Sequence, residues 1–188
     1  QRRLAHLAKC AEYRKANNYF PVLGEGSHEA KIMFVGEAPG RNEAKPGRPF
    51  CGAAGKILDE LLASVGAERN RVYITNIVKD RPPENRDPTP EEIKIYGPFL
   101  DRQIEAIQPE VIATLGRFSM AYIMERFGLW ESLEPISSAH GKFYETKTSY
   151  GKLAILPLYH PAVAIYNRAS KDTLIGDFQK LKRFLKTN

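Results

Sequence analysis

The stretch Lys31-Ile32-Met33-Phe34-Val35, closed at once by Gly36, decides the fold. A short apolar run ended by a glycine reads as a strand. Working outward, a helix is expected from about Gly52 to Val65, because Ile57, Leu58, Leu61, Leu62 and Val65 make one buried stripe. Gly66 stands where a left-handed C-terminal cap falls. Val72 to Thr75 reads as a second strand, followed by a polar, proline-rich segment from Lys79 to Pro90. Thr89-Pro90-Glu91-Glu92 then opens a helix: Thr89 can cap, Pro90 suits the first helical position and Glu92 completes a capping box. Ile93, Tyr96, Leu100, Ile104 and Ile107 are its expected buried face. Glu110 to Leu115 is a third strand, Arg117 to Phe127 a helix, and Leu153 to Leu158 a fourth strand. A last helix is expected from near Ser170, with Leu174, Phe178, Leu181 and Leu185 inward. Lys180, Lys182, Arg183 and Lys186 crowd its final turns, where cations suit the helix dipole and a solvated face is the plain reading.

Strands alternating with helices predict a three-layer α/β/α sandwich with a central, mainly parallel four-stranded sheet, built as one domain over residues 1–188. In such sheets ligands bind beyond the carboxyl ends of the strands. That rule points to Gly36-Glu37-Ala38-Pro39-Gly40, to Asn76 and to His160-Pro161, which converge on one rim if the strands are parallel.

Composition sets outer bounds. Hydrophobic residues are 43% and charged residues 27%, the profile of an ordinary water-soluble protein. No apolar run reaches the ~18 residues of a membrane span. Residues 1–20 lack the character of a secretory signal. The sequence begins at Gln1 rather than Met, which reads as a trimmed start and leaves a removed targeting segment open. The net charge of +6 suits a polyanionic partner, or simply a basic surface. Cys10 and Cys51 have no zinc or redox spacing and read as free thiols.

Three segments carry more. They are G-E-A-P-G-R-N-E at 36–43 with G-R-P-F at 47–50, T-N-I-V-K at 75–79 with R-P-P-E-N-R-D-P at 81–88, and H-P-A at 160–162, with T-L-G at 114–116 between. In this order and spacing they resemble the uracil-DNA glycosylase superfamily, closest to the thermostable family 4 group. The likeness runs from about residue 7 to 185.

The resemblance implies a monofunctional glycosylase that flips uracil from DNA and hydrolyses its N-glycosidic bond. Phe50 matches the position that stacks on the base and Asn76 the reader of its edge. His160 matches the donor to uracil O2 as charge builds on the leaving base. Glu43 matches the acid that acts on water or on the sugar cation, with a surface ion pair to Arg41 or Lys45 as the bland alternative. Glu37 matches a pocket-lining residue, and Ala38 stands where another branch carries Asp. Gly36, Gly40 and Gly47 let the backbone approach a ligand, or serve as turn glycines. Ala162 to Arg168 matches the loop that enters the minor groove, with Ile165 or Tyr166 at its tip to fill the hole left by the base, Arg168 either on a phosphate or in that hole itself, and Asn167 a further DNA contact; a core-packed loop is the alternative. Arg86 is a further expected DNA contact. His6, His28 and His140 have no such setting and read as surface or structural residues.

The chain also departs from the family. Family 4 enzymes hold a [4Fe–4S] cluster on four cysteines, and the matching positions are Cys10, Tyr13, Asp80 and Tyr96. No cofactor and no metal are therefore expected. Tyr13 and Tyr96 would fill the space, and Asp80 would accept a hydrogen bond from a phenol. Relatives that trap uracil covalently carry a histidine where Glu84-Asn85-Arg86-Asp87-Pro88 stands, so no adduct is expected. Gly52-Ala53-Ala54-Gly55-Lys56 is not a phosphate loop, because Phe50 replaces the first glycine and Ile57 the Ser or Thr. The expected partner is uracil-containing DNA, met by a monomer away from membranes, in a prokaryotic cytoplasm or another intracellular space with access to DNA. Two other readings stay open: a silent module that binds DNA or uracil, and a glycosylase for another deaminated base such as hypoxanthine.

Overall fold

The computed structural model describes residues 2–185, with side chains from residue 8 onward. Helix α1 (Arg2–Asn17) leads to the two-residue strand β1 (Glu25–Gly26), then β2 (Ile32–Gly36), the short helix α2 (Arg41–Ala44) and α3 (Ala53–Ser64). Strand β3 (Tyr73–Asn76), α4 (Pro90–Ile107), β4 (Val111–Leu115) and α5 (Arg117–Arg126) follow. The chain ends through α6 (Ile136–Ala139), β5 (Tyr144–Thr148), β6 (Gly151–Leu158), α7 (Arg168–Gln179) and α8 (Lys182–Leu185).

The sheet has six strands, not the expected four, in the order β1-β3-β2-β4-β6-β5. The four expected strands are its parallel centre, with Gly36 opposite Asn76 and Leu115 opposite Leu158. The two additional strands are antiparallel edges. All five residues of β2 are buried, because helices cover both faces. One face packs Phe34, Leu58, Leu61, Leu62, Leu174 and Phe178 under α3 and α7. The other packs Met33, Val35, Ile95, Leu100, Ile104 and Ile123 under α4 and α5. This is the three-layer sandwich.

Local chemistry sets the ends of these elements. The Thr89 hydroxyl accepts from Glu92 N at 3.2 Å while Glu92 Oε2 accepts from Thr89 N at 2.8 Å, the expected capping box. Gly66 has φ +74° beyond α3, the left-handed cap. Within α4, Ile95 takes the fully buried place and Ile93 is only half-buried. The last helix differs most: it begins at Arg168 rather than near Ser170, because Asn167 Oδ1 accepts from Ser170 N at 3.1 Å. It also breaks at Lys180–Leu181, so Leu181 packs at a junction. His6 and Lys186 lie outside the side chains the structure describes.

Candidate active site

The carboxyl ends of β2, β3 and β6 bring the expected groups together. Gly36 is the hub. A Cβ placed on it would fall 2.3 Å from Asn76 Oδ1 and 2.8 Å from Phe50 Cζ, so carboxamide and ring both lie against its bare backbone. Asn76 is 2% exposed, and among the described residues no hydrogen bond engages its carboxamide. The Phe50 ring is 6% exposed, with its centroid 5.7 Å from that of His160. Phe50 has φ +47°, a left-handed conformation costly for a bulky residue, on the order of 1–3 kcal/mol. Gly55 makes room for that bend: a Cβ there would sit 1.8 Å from Phe50 O. A non-glycine residue in strain beside polar groups is itself a site signal, invisible in sequence.

His160 follows β6. Its Nδ1 accepts from Ala162 N at 3.2 Å, so in the neutral ring Nε2 carries the proton. Burial lowers its pKa, with the Glu43 charge opposing, which favours that neutral form. Glu43 projects from α2 toward the loop before α3. Its Oε1 accepts from Gly52 N at 2.9 Å and Cys51 N at 3.2 Å. Its Oε2 lies 2.8 Å from a Cβ placed on Gly40. Neither Arg41 nor Lys45 forms an ion pair with it among the described residues. Glu37 is half-buried, and its carboxyl is pushed up to about 7, first by burial and then by Asp87, with Arg117 opposing. Ala38 packs against the α4–α5 core, and Gly40 is the N-cap of α2.

The other expected residues lie farther out. Pro161–Ala164 form one turn of 3₁₀ helix, after which Tyr166 stands 98% exposed and Ile165 is half-buried. Arg168 is exposed, while Asn167 is committed to capping α7. Arg86 is not a free cation: its two terminal nitrogens meet the Glu92 carboxylate at 2.8 Å each. His140 is held by Asp177 at 2.7 Å, a structural setting as expected.

On the side of β3 toward α1 and α4 lies a cavity of about 210 Å³, lined in part by Cys10, Tyr13, Asp80 and Tyr96. The Tyr96 hydroxyl donates to Asp80 Oδ2, as the sequence suggested. Arg14, which sequence reasoning missed, meets both Asp80 oxygens at 2.7 and 2.6 Å. Burial pushes the Cys10 thiol up. A second missed residue is Lys79, a buried lysine three positions after Asn76, whose only sequence signal was a charge next to apolar Ile77-Val78.

The arrangement can hold a planar ring against Phe50, meet its edge with a carboxamide and present an imidazole N–H to an oxygen gaining charge. Comparison with known proteins agrees. The family model "Uracil DNA glycosylase superfamily" matches residues 23–184. A type-4 uracil-DNA glycosylase of Archaeoglobus fulgidus is 46% identical over 180 residues, covering 96% of this chain and 88% of that protein. One of Sulfurisphaera tokodaii is 47% identical over 175 residues, covering 93% and 78%. One of Thermotoga maritima is 41% identical over 172 residues, covering 88% and 83%. The fold, the rim and these similarities agree, and the chain belongs to the uracil-DNA glycosylase superfamily.

Proposed function

We propose that this chain is a monofunctional DNA glycosylase that flips uracil out of DNA and hydrolyses its N-glycosidic bond, leaving an abasic site for base excision repair. The observation that carries the reading is the meeting of Phe50, Asn76 and His160 around Gly36. Phe50 is the platform on which the extruded base stacks. Asn76 offers Oδ1 to the uracil N3–H and Nδ2 to O4; cytosine reverses that pattern and leaves both sides unpaired. On this reading Gly36, Glu37, Ala38 and Gly40 are the backbone and side-chain lining of the base pocket.

As the C1′–N1 bond breaks, its electron pair passes into the uracil ring, and His160 Nε2–H donates to O2, where the charge gathers. The sugar is left as an oxocarbenium-like cation. A water oxygen adds to C1′, and Glu43 takes the proton that this water loses. The two backbone N–H groups on Oε1 orient the carboxylate and leave Oε2 for the water. Tyr166, with Ile165 beside it, fills the gap in the base stack, Arg168 sits against a phosphate, and Asn167 holds the loop through its cap.

The residues do not fit an iron–sulfur cluster. Such a cluster takes four thiolates; of the four matching positions only Cys10 supplies one, and Asp80 is already taken by Tyr96 and Arg14. We therefore read the chain as working without a cofactor or metal, its Tyr–Asp–Arg network bracing the region that a cluster would hold. Stoichiometric iron with the visible absorbance of a cluster in aerobically purified protein would overturn this reading.

We read residues 1–188 as one domain, active as a monomer on uracil-containing DNA in a cytoplasm or another intracellular compartment with access to DNA. No helix among the described residues is long and apolar enough to cross a membrane. The deciding assay offers single- and double-stranded oligonucleotides carrying uracil or hypoxanthine. Free uracil and an intact strand with an abasic site are expected. Binding without release would favour the silent module, and preferential release of hypoxanthine the other base.

A further inference from the structure

Lys79 is 2% exposed, a rare setting for a lysine. Burial pulls its ammonium down to about 7. Such a group is tolerated where its N–H groups are accepted, and here all three are. Nζ lies 2.6 Å from the main-chain oxygen of Asn76, 2.8 Å from Thr75 Oγ1 and 2.7 Å from Gln103 Oε1. Both side-chain acceptors are themselves oriented. The Thr75 hydroxyl donates to Leu23 O at 2.8 Å. Gln103 Nε2 donates to Leu23 O at 2.8 Å and to Tyr73 Oη at 3.1 Å, which turns its oxygen toward the lysine.

We propose that Lys79 is a positioning residue for base recognition: its ammonium locks the peptide after Asn76 and so aims the Asn76 carboxamide at the edge of the pyrimidine. The inference rests on the reading of Asn76 as that edge reader. The peptide joining Asn76 to Ile77 is held at both ends, its carbonyl by Lys79 and its N–H by Gly36 O at 3.0 Å. Strand pairing with β2 fixes the residues before it. The Cα–Cβ direction of Asn76 then has little freedom, and no hydrogen bond to the carboxamide among the described residues does this work instead. Successive strand residues face opposite sides of a sheet. Lys79 touches Thr75, so it works from behind the strand and reaches the base only through Asn76.

The test is a double-mutant cycle on single-turnover release of uracil from a uracil-containing oligonucleotide, using the full chain, Lys79→Met, Asn76→Ala and the double variant. Lys79→Met is expected to lower the rate at saturating DNA by about 10- to 100-fold, the scale of a misplaced reacting group. The KM for DNA should change by less than about threefold. In the Asn76→Ala background the same change should cost less than about twofold, because its only route of action is gone. Equal losses in both backgrounds overturn the proposal, since a general structural weakening would be additive. Asn76→Ala at the wild-type rate would instead remove the edge-reader reading, and this inference with it. Should Lys79→Met fail to fold, as judged by thermal unfolding, Thr75→Val goes through the same cycle. It is close to isosteric and removes one acceptor of the ammonium; loss of its effect beside Asn76→Ala supports the proposal and additivity overturns it.

Discussion

Adding one methyl group at Gly36 should disable the site while sparing the fold. A Cβ there meets Asn76 Oδ1 at 2.3 Å and Phe50 Cζ and Cε2 at 2.8 and 2.9 Å, whereas ordinary contact begins at 3.4 Å. The carboxamide oxygen must retreat by roughly 1 Å and the ring by roughly half that. A displacement of that size at a recognition group costs on the order of 100-fold in rate, or about 2.7 kcal/mol of barrier. Gly36 is absent from the positive-φ glycines, so alanine meets no left-handed strain. Overpacking costs about 1–3 kcal/mol of stability, and each kcal/mol lowers Tm by about 2–4 °C in a chain of this size. Single-turnover uracil release at saturating DNA, run beside thermal unfolding, reads both quantities. Gly36→Ala with a wild-type rate and an intact fold would refute the claim that Asn76 and Phe50 must hold these positions.

Asn76→Asp should lower the ratio of uracil to cytosine released from matched oligonucleotides, because a carboxylate no longer presents the fixed acceptor–donor pair; an unchanged ratio removes Asn76 from base reading. His160→Ala should cut the single-turnover rate by about 100- to 1,000-fold with DNA affinity within a few-fold, and equal losses in both would make it a binding residue. The Glu37 carboxyl is raised from 4.5 to about 7, so its contribution to stability is full below pH 4.5 and is lost as pH rises through about 7. Glu37→Gln should therefore flatten the fall in Tm between about pH 4.5 and 7, and parallel Tm–pH curves for the two proteins would rule this out.

The parts of the fold legible in sequence were those with enough residues to make a pattern. Ile32 to Val35 formed a run, and α3 and α7 carried stripes of which Leu58, Leu61, Leu62, Leu174 and Phe178 are buried as expected, while Ile57 and Leu185 are only half-buried and Leu181 and Leu185 lie beyond the end of α7. Strand β1 has two residues and therefore no period, and β5 (Y-E-T-K-T) is a half-exposed edge whose polar letters conceal an alternating pattern. At the rim, Gly36, Asn76 and His160 were legible because each directly ends or follows a parallel strand. What escaped depends on distant partners. The strained φ of Phe50 is set by α3 closing over it at Gly55. The burial of Lys79 depends on Gln103, and the pairing of Asp80 on Arg14, sixty-six positions away. Asn167 was placed in a DNA-contacting loop, while its place three residues before Ser170 is also that of a helix cap.

These features point to how the site meets two opposing demands. A glycosylase must receive a neutral base and release an anion. Burial is the largest influence on both Glu37 and His160, and it moves each toward its uncharged form. On the proposed function, a protonated Glu37 would not repel the departing uracil, and a neutral His160 would keep its Nε2 proton for O2, because its Nδ1 accepts from Ala162 N. On the same reading, the Glu43 carboxylate would meet the sugar as positive charge develops, and its Oε1 is anchored by two backbone N–H groups that need not reorganise as the bond breaks. On this account selectivity and catalysis draw on one property, a rim whose polar groups are fixed from behind by the sheet before DNA arrives. Disturbing either support behind it, at Gly55 or Lys79, should then lower the rate without altering a group that contacts the base.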